Sequence, residues 1–313
     1  MTALEPRPIS AAADIGAFAY FEGTVVPIGE ANVSIATHTF NYGTAVFEGI
    51  RAYRQADGSS AILFAHEHYA RLLRNARLLR ALVPESADDL VEITRDLLRR
   101  NAHDGDAYIR PLVYKSARSI RVKLTGLDDR VGIFTIPLGD YLPTGGIRVT
   151  VSAWQRVSDN AIPARGKISG SYVNAAFAAE DAHAAGYDDA ILLTGDGHLA
   201  EASAANLFVV SGREVATPPL TDDVLAGITR SAILQIARDA GLDVVERRID
   251  RSELYLADEV FLTGTGVQVA PISSIDERPV GTGDFAISLD IQRRYFAAVR
   301  GHDERYANWL TSI

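Results

Sequence analysis

Residues 136–146, IPLGDYLPTGG, place two prolines and three glycines between apolar runs. Proline withholds a backbone donor and glycine enters conformations that other residues avoid, so the stretch reads as a connection and not as an element. It divides the chain into a small N-terminal domain, residues 1–136, a linker, 137–146, and a larger C-terminal domain, 147–313. Upstream, strand-like runs alternate with two helical patterns. Residues 67–82, EHYARLLRNARLLRAL, put Tyr69, Leu72, Leu73, Ala76 and Leu79 on one face and Arg71, Arg74, Arg77 and Arg80 on the others. Residues 88–100 repeat the pattern with Leu90, Ile93, Leu97 and Leu98, and Ser86 reads as the cap. Downstream, strand-like pieces at 149–151, 191–193, 207–210 and 260–262 interleave with helical ones at 172–185, stopped by Gly186, and at 228–240, stopped by Gly241. No strict βαβ rhythm and no GxGxxG turn is present. The fold class expected is therefore α+β in two domains, not a dinucleotide-binding sheet.

Composition narrows the chemistry. The chain has 313 residues and a formal net charge of −9; 28 of its 31 basic side chains are arginine, and the lysines are Lys115, Lys123 and Lys167. The arginine bias reads as genomic base composition. There is no cysteine and the only methionine is Met1, so thiolate nucleophiles, disulfides, cysteine zinc sites and iron–sulfur clusters are excluded. An amine nucleophile has three candidates. At 47% hydrophobic and 23% charged the chain reads as an ordinary globular protein. Its acidic balance argues against a dedicated nucleic-acid binder. No secretory signal opens it and no run of about 18 apolar residues crosses it, so the expectation is a cytoplasmic protein without membrane contact.

Few local patterns point to a site. His66-Glu67-His68 invites a metal, but the other histidines are scattered and no HExxH spacing occurs; no metal is expected. A GxSxG elbow is absent. Gly264-Thr265-Gly266 is a glycine-rich turn too short for a P-loop. Lys115 and Lys123 read as solvated residues at strand or loop edges. Lys167 lies in RGKISGSY, residues 165–172, small residues just before a helix, which suits an amine that must swing between two carbons of a cofactor. Spacing alone does not separate it from a loop lysine.

Seven segments in register supply what local patterns lack: YGTAVFEGIR (42–51), EHYARL (67–72), AYIRP (107–111), Lys167 with Tyr172, Glu201 with Asn206-Leu207-Phe208, LAGITR (225–230), and ADEVF (257–261) with Gly264-Thr265. Together they resemble the class IV aminotransferases, the D-amino-acid and branched-chain aminotransferase fold, from about Ala19 to Thr282. The resemblance implies fold type IV, a two-domain α+β fold that uses pyridoxal 5′-phosphate (PLP). It implies that Lys167 bonds to PLP as a Schiff base and, once substrate displaces it, shuttles the proton between the substrate α-carbon and C4′. Glu201 matches the carboxylate facing the pyridine nitrogen, Tyr172 the phenol on the ring hydroxyl, and Leu225 the side chain packed on the ring. Arg71 matches the phosphate arginine, Gly227-Ile228-Thr229 the helix start that receives the phosphate, and Thr265 a further hydroxyl on it.

For substrate, Tyr42, Tyr108 and Arg110 match carboxylate-binding positions, and Phe47, Gly49 and Tyr141 match the walls of an apolar side-chain pocket. Val122 matches a loop lent by the neighbouring subunit, which implies a homodimer or a higher homo-oligomer. Three positions depart from the family. Leu138 stands where tryptophan is common and would widen the pocket; Gly266 replaces the usual alanine near a substrate carboxylate; Arg121 replaces a common glycine and would add a cation for an acidic co-substrate. The implied activity is reversible transfer of the amino group between L-leucine, L-isoleucine or L-valine and 2-oxoglutarate. The alternatives are a class IV transaminase for D-amino acids or (R)-amines, or a PLP lyase such as aminodeoxychorismate lyase.

Overall fold

The structure is a computed structural model that describes residues 15–139 and 146–313; Tyr141 and most of the expected linker lie outside them. The first half contains β1 (Phe18–Phe21), β2 (Thr24–Pro27), α1 (His38–Tyr42), β3 (Ala45–Phe47), β4 (Ile50–Arg54), β5 (Ser60–Leu63), α2 (Ala65–Ala76), α3 (Ala87–Asn101), β6 (Ala107–Lys115) and β7 (Asp129–Pro137). The second half contains β8 (Ile147–Gln155), α4 (Tyr172–Ala184), β9 (Asp189–Leu193), β10 (Leu199–Ala202), β11 (Asn206–Ser211), β12 (Glu214–Thr217), α5 (Ile228–Asp239), β13 (Asp243–Glu246), β14 (Glu259–Gly264), β15 (Gln268–Ile275), β16 (Arg278–Pro279), α6 (Ala286–Val299) and β17 (Leu310–Ser312). One sheet runs β17-β5-β4-β6-β7-β1-β2 with β3 also on β6; the other runs β10-β9-β8-β15-β14-β11-β12-β13 with β16 on β15. The last strand, β17, thus joins the first half's sheet.

Side-chain alternation decides which face of the first sheet meets what. Ala107, Ile109 and Val113 of β6 join Ile50, Ala52 and Ile62 against Tyr69 and Leu72 of α2 and Leu90 and Leu97 of α3. Tyr108 and Arg110 consequently face the other way. Tyr53 and Leu63 pack into a second cluster with Phe208, Ile233, Phe261 and Tyr295, so one core is shared by both halves.

The helices follow their sequence signals closely. Ser86 caps α3: its hydroxyl accepts from the Asp89 amide while the Asp89 carboxylate accepts from the Ser86 amide. Gly186 at φ +85° and Gly241 at φ +76° follow α4 and α5. Helix α2 is shorter than its 67–82 pattern, because Arg77–Leu79 tighten into a 3-10 turn that still buries Leu79. Two parallel crossovers, β8–α4–β9 and β12–α5–β13, occur within the second sheet without a strict βαβ rhythm along the chain; β12 and β13 are only four residues each and leave little pattern to read. Lys115 is not solvated. It is 1% exposed, with its amine 2.9 Å from the Asp129 carboxylate and donating to the Arg80 carbonyl.

The two halves meet along β3. One edge of β3 pairs with β6. The other receives the 167–168 segment: the Phe47 amide donates to the Lys167 carbonyl at 3.0 Å, and Val46 bridges Ile168. The Gly170 amide donates to the Gly43 carbonyl beside it. Gly43 has φ +64°, and a Cβ there would stand 2.7 Å from the Gly170 Cα; Gly212 has a similar φ, +57°, but faces open space. Gly43→Ala is therefore expected to lower the thermal midpoint more than Gly212→Ala. Left-handed strain costs both about 1–2 kcal/mol, and overlap adds about 1–3 kcal/mol at Gly43 alone. Equal losses in parallel melts would show that the two segments do not press together.

Candidate active site

Lys167 is fixed by that edge pairing and its side chain enters a cavity of about 170 Å³ between the two halves. Its amine donates to the Tyr172 hydroxyl at 2.6 Å and lies 4.8 Å and 4.9 Å from the ring centres of Phe47 and Tyr172. The two rings meet edge to face, 4.7 Å apart. Tyr172 is the first residue of α4, so the short 3-10 turn of Ser169–Ser171 sets the spacing between amine and phenol. Lys115 is engaged elsewhere and Lys123 is exposed. Among the described residues, Lys167 therefore supplies the one amine in the cavity wall.

A carboxylate stands on the second-half wall. Glu201, on β10, is 5% exposed; its Oε1 meets the Arg156 guanidinium at 2.6 Å, and its Oε2 accepts from Asn206 Nδ2 at 2.9 Å and the Leu225 amide at 3.1 Å. Burial pushes its carboxyl above the ordinary range, against the opposing pull of Arg156, the Leu225 hydrogen bond and Lys167. A carboxylate made more basic by burial suits a ligand that brings a proton, as a pyridinium N–H does.

Donors for an anion converge on a third wall. Arg71 of α2, 5% exposed, lines the cavity beside Gly227, Ile228, Thr229 and Thr265. Gly227 is the N-cap residue of α5, and it has no side chain to cap that helix, so the first amides are free for an anion. A side chain at Gly227 would collide with Asn206, which holds Glu201 and the Leu225 carbonyl. One residue type thus lets the carboxylate and the anion cradle share a wall.

The first sheet closes the opposite side with Phe47, Gly49, Tyr108 and Arg110. The spacing Tyr-x-Arg puts Tyr108 and Arg110 on one face of β6. Arg110 Nη2 donates to the Tyr108 hydroxyl at 2.7 Å and the guanidinium lies 4.7 Å from the Phe47 ring centre. Arg110 Nε is buried without a partner among the described residues. A Cβ at residue 49 would strike the Tyr108 hydroxyl, so glycine is required there.

All the residues matched to the cofactor line this one cavity, as do Phe47, Gly49, Tyr108, Arg110 and Gly266 from the substrate set. Within a single chain the other described positions of that set do not, and Tyr141 lies outside the described residues. Tyr42 is 40% exposed at the end of α1 and donates to the Ile120 carbonyl at 2.7 Å. Val122 is 84% exposed, Arg121 is exposed, and the Arg121 carbonyl lies 3.1 Å from His38 Nε2. Leu138 lines a neighbouring cavity of about 330 Å³ that shares Ser203, Ala204, Ala205 and Gly266 with the first. A mainly apolar cavity of about 260 Å³, walled by Tyr20, Phe40, Leu112 and Phe134, lies apart from these groups.

Three charged or polar residues went unassigned in the sequence. Arg156 carries no local pattern and is identified only by its pairing with Glu201. Glu48 lies inside a quoted motif yet is fully buried on the Arg71 guanidinium, at 2.6 and 2.7 Å. His68 donates its Nδ1 proton to Glu48 at 2.8 Å, while His66 is exposed beside Asp88. Burial opposes the charge of Glu48, but the Arg71 cation and the hydrogen bonds of His68 and Arg71 hold its pKa at about 2. Burial likewise keeps His68 neutral.

Comparison with known proteins gives the family. Residues 45–275 match the family profile described as amino-transferase class IV. A probable branched-chain-amino-acid aminotransferase of Aquifex aeolicus (strain VF5) is 46% identical over 300 residues, 95% of this chain and 96% of that protein. The crystal structure of a branched-chain aminotransferase from Thermoproteus uzoniensis with norvaline superposes with a TM-score of 0.92 at 38% identity, over 95% of this chain and 99% of that one. That of a branched-chain amino acid aminotransferase from Thermobaculum terrenum, in its PLP-bound holo form, superposes with a TM-score of 0.91 at 33% identity, over 96% of this chain and 99% of that one. The chain belongs to the class IV aminotransferases, among the branched-chain-amino-acid aminotransferases.

Proposed function

We propose that this chain transfers amino groups between branched-chain L-amino acids and 2-oxoglutarate, with PLP as its resident cofactor. The observation that carries the reading is the cavity walled by the Lys167 amine, the Glu201 carboxylate and the Arg71–α5 anion cradle. Those groups match an aldehyde, a ring nitrogen and a phosphate. When bound, PLP supplies an aldehyde carbon for the amino group and a ring that takes up the electrons left when the substrate's α-proton departs.

Lys167 would hold the cofactor through its amine, and that amine, when free, would carry the proton between the substrate α-carbon and C4′. Tyr172, which accepts from the lysine amine at 2.6 Å, would keep that amine in place. Glu201 would keep the ring nitrogen protonated, and Arg156 and Asn206 keep Glu201 oriented. Leu225 would pack on the ring. Arg71, the amides of Ile228 and Thr229 and the Thr265 hydroxyl hold the phosphate. Tyr108 has its own proton to give because its oxygen already accepts from Arg110, so the pair offers two donors to a carboxylate. Phe47 and Gly49 leave the apolar space that leucine occupies, and Arg110 receives the distal carboxylate of glutamate. Gly266 leaves room at the same cavity, beside the neighbouring one that Leu138 lines.

The working form is at least a homodimer. Ile35, Phe40, Ile120 and Val122 are exposed apolar residues, from 69% to 84%, on the segments that α1 ties together, and a second copy covers them. Tyr42, Arg121 and Val122 thereby reach the neighbour's cavity. No helix among the described residues is long and apolar enough to cross a membrane, and the enzyme works in the cytoplasm on free amino acids and 2-oxo acids.

Mixed with L-leucine, the purified holoenzyme is expected to lose the absorbance of the lysine-bound cofactor and gain that of the pyridoxamine form. D-Alanine and (R)-1-phenylethylamine should act far more slowly, and faster conversion by D-alanine would overturn the substrate assignment. Arg110→Met should raise KM for 2-oxoglutarate by about 30- to 150-fold, the worth of lost charge-assisted bonds of about 2–3 kcal/mol. It should leave 4-methyl-2-oxopentanoate within about threefold. Arg121→Gly should move the same ratio less far. An unchanged ratio in steady-state kinetics would remove either arginine from substrate selection.

A further inference from the structure

We propose that Glu48 and His68 are positioning residues for the cofactor phosphate, acting through Arg71; the proposal rests on the cofactor reading above. A guanidinium has five N–H groups in one plane. Arg71 spends Nε–H and one Nη2–H on the two oxygens of Glu48, at 2.6 and 2.7 Å. One Nη1–H goes to the Ala226 carbonyl at 2.7 Å. One N–H therefore remains on each terminal nitrogen, and both are left for oxygens of an anion. The direction of this free fork is set by the three committed bonds when Nη1 meets Ala226 through its hydrogen on the Cδ side.

Glu48 can set that direction because it cannot move. It is fully buried, its backbone amide donates to the Pro111 carbonyl where β3 gives way to β4, and Oε2 also accepts from His68. The neutral His68 ring is 2% exposed and pins the carboxylate without adding charge. The third bond carries the fixation across the cavity. Ala226 immediately precedes Gly227, so Arg71 locates the first amides of α5 relative to its own free fork. The chain His68–Glu48–Arg71–Ala226 thus registers the two parts of the phosphate cradle, one from each half of the chain.

Charge alone would argue against a carboxylate here, since it repels the dianion it helps to bind. A buried ion pair is also weak support for stability, because desolvation offsets most of its attraction. What Glu48 supplies is alignment. An arginine with five free donors would have many orientations to lose on binding phosphate, whereas this one has two donors already aimed.

The test compares two aldehydes on the apoenzyme: PLP, and pyridoxal, which lacks the phosphate. Binding of each is followed by the absorbance of the lysine-bound form. Glu48→Gln places an amide N–H against the donors of Arg71, and should raise the Kd for PLP about tenfold or more while leaving that for pyridoxal within about twofold. His68→Asn should act in the same direction by less, and serves as the probe if Glu48→Gln does not fold. In an Arg71→Gln background, Glu48→Gln should no longer change the ratio of the two constants. Equal weakening of both ligands would reduce Glu48 to a structural residue, and an unchanged PLP constant would remove it from the cradle; either overturns the proposal. If the wild-type chain forms the lysine-bound absorbance with neither aldehyde, the cofactor reading itself fails and this proposal goes with it.

Discussion

The Phe47 amide donates to the Lys167 carbonyl at 3.0 Å, and this bond holds a second-half segment on the free edge of a first-half strand. Most of the site follows from it. The residues of β3 and β4 alternate across the sheet, so once Lys167 lies beside Phe47, Phe47 and Gly49 face the cavity while Glu48 turns toward α2. Arg71 meets Glu48 there and reaches back to the start of α5. Tyr108 and Arg110 come from the neighbouring strand on the same face. An active site between two halves needs one place where their relative position is fixed by bonds, and β3 is that place.

Charge is concentrated around this cavity at a real energetic cost. Glu48, Arg71, Glu201 and Arg156 are all nearly buried, and removing one member of such a pair costs about 3–5 kcal/mol because the other is left alone. Stability therefore rests on the apolar clusters, including the one that Tyr53 and Leu63 share with Phe208 and Phe261. The buried pairs supply direction instead: Arg71 presents two aimed donors, and Glu201 is held between Arg156, Asn206 and an amide.

Local periodicity was enough for α2 and α3 and for α4 and α5, whose caps and stops are written in single residues such as Ser86, Gly186 and Gly241, but not for the five-residue α1. It was not enough for β12 and β13, too short to show a pattern, or for the turn that shortens α2. The residues proposed to hold the cofactor were picked out only through motif register, because Arg71 is one of several arginines on its helix and only burial against Glu48 separates it from Arg74 and Arg77. Arg156 and His68 escaped because each acts through a partner distant in sequence. Lys115 misled for the same reason: the carboxylate that pairs with it comes from β7. Tyr42, Arg121 and Val122 do not line the cavity of a single chain.

The proposed chemistry uses one amine out of the chain's three lysines. Reduction of the holoenzyme with borohydride fixes the cofactor to whichever lysine holds it, and peptide mapping by mass spectrometry then reads the position. The account predicts the pyridoxyl group on Lys167 alone, and none on Lys115, which is buried against Asp129, or on Lys123, which stands in solvent. A label on Lys115 or Lys123, or a Lys167→Ala chain that still fixes the cofactor, would contradict it.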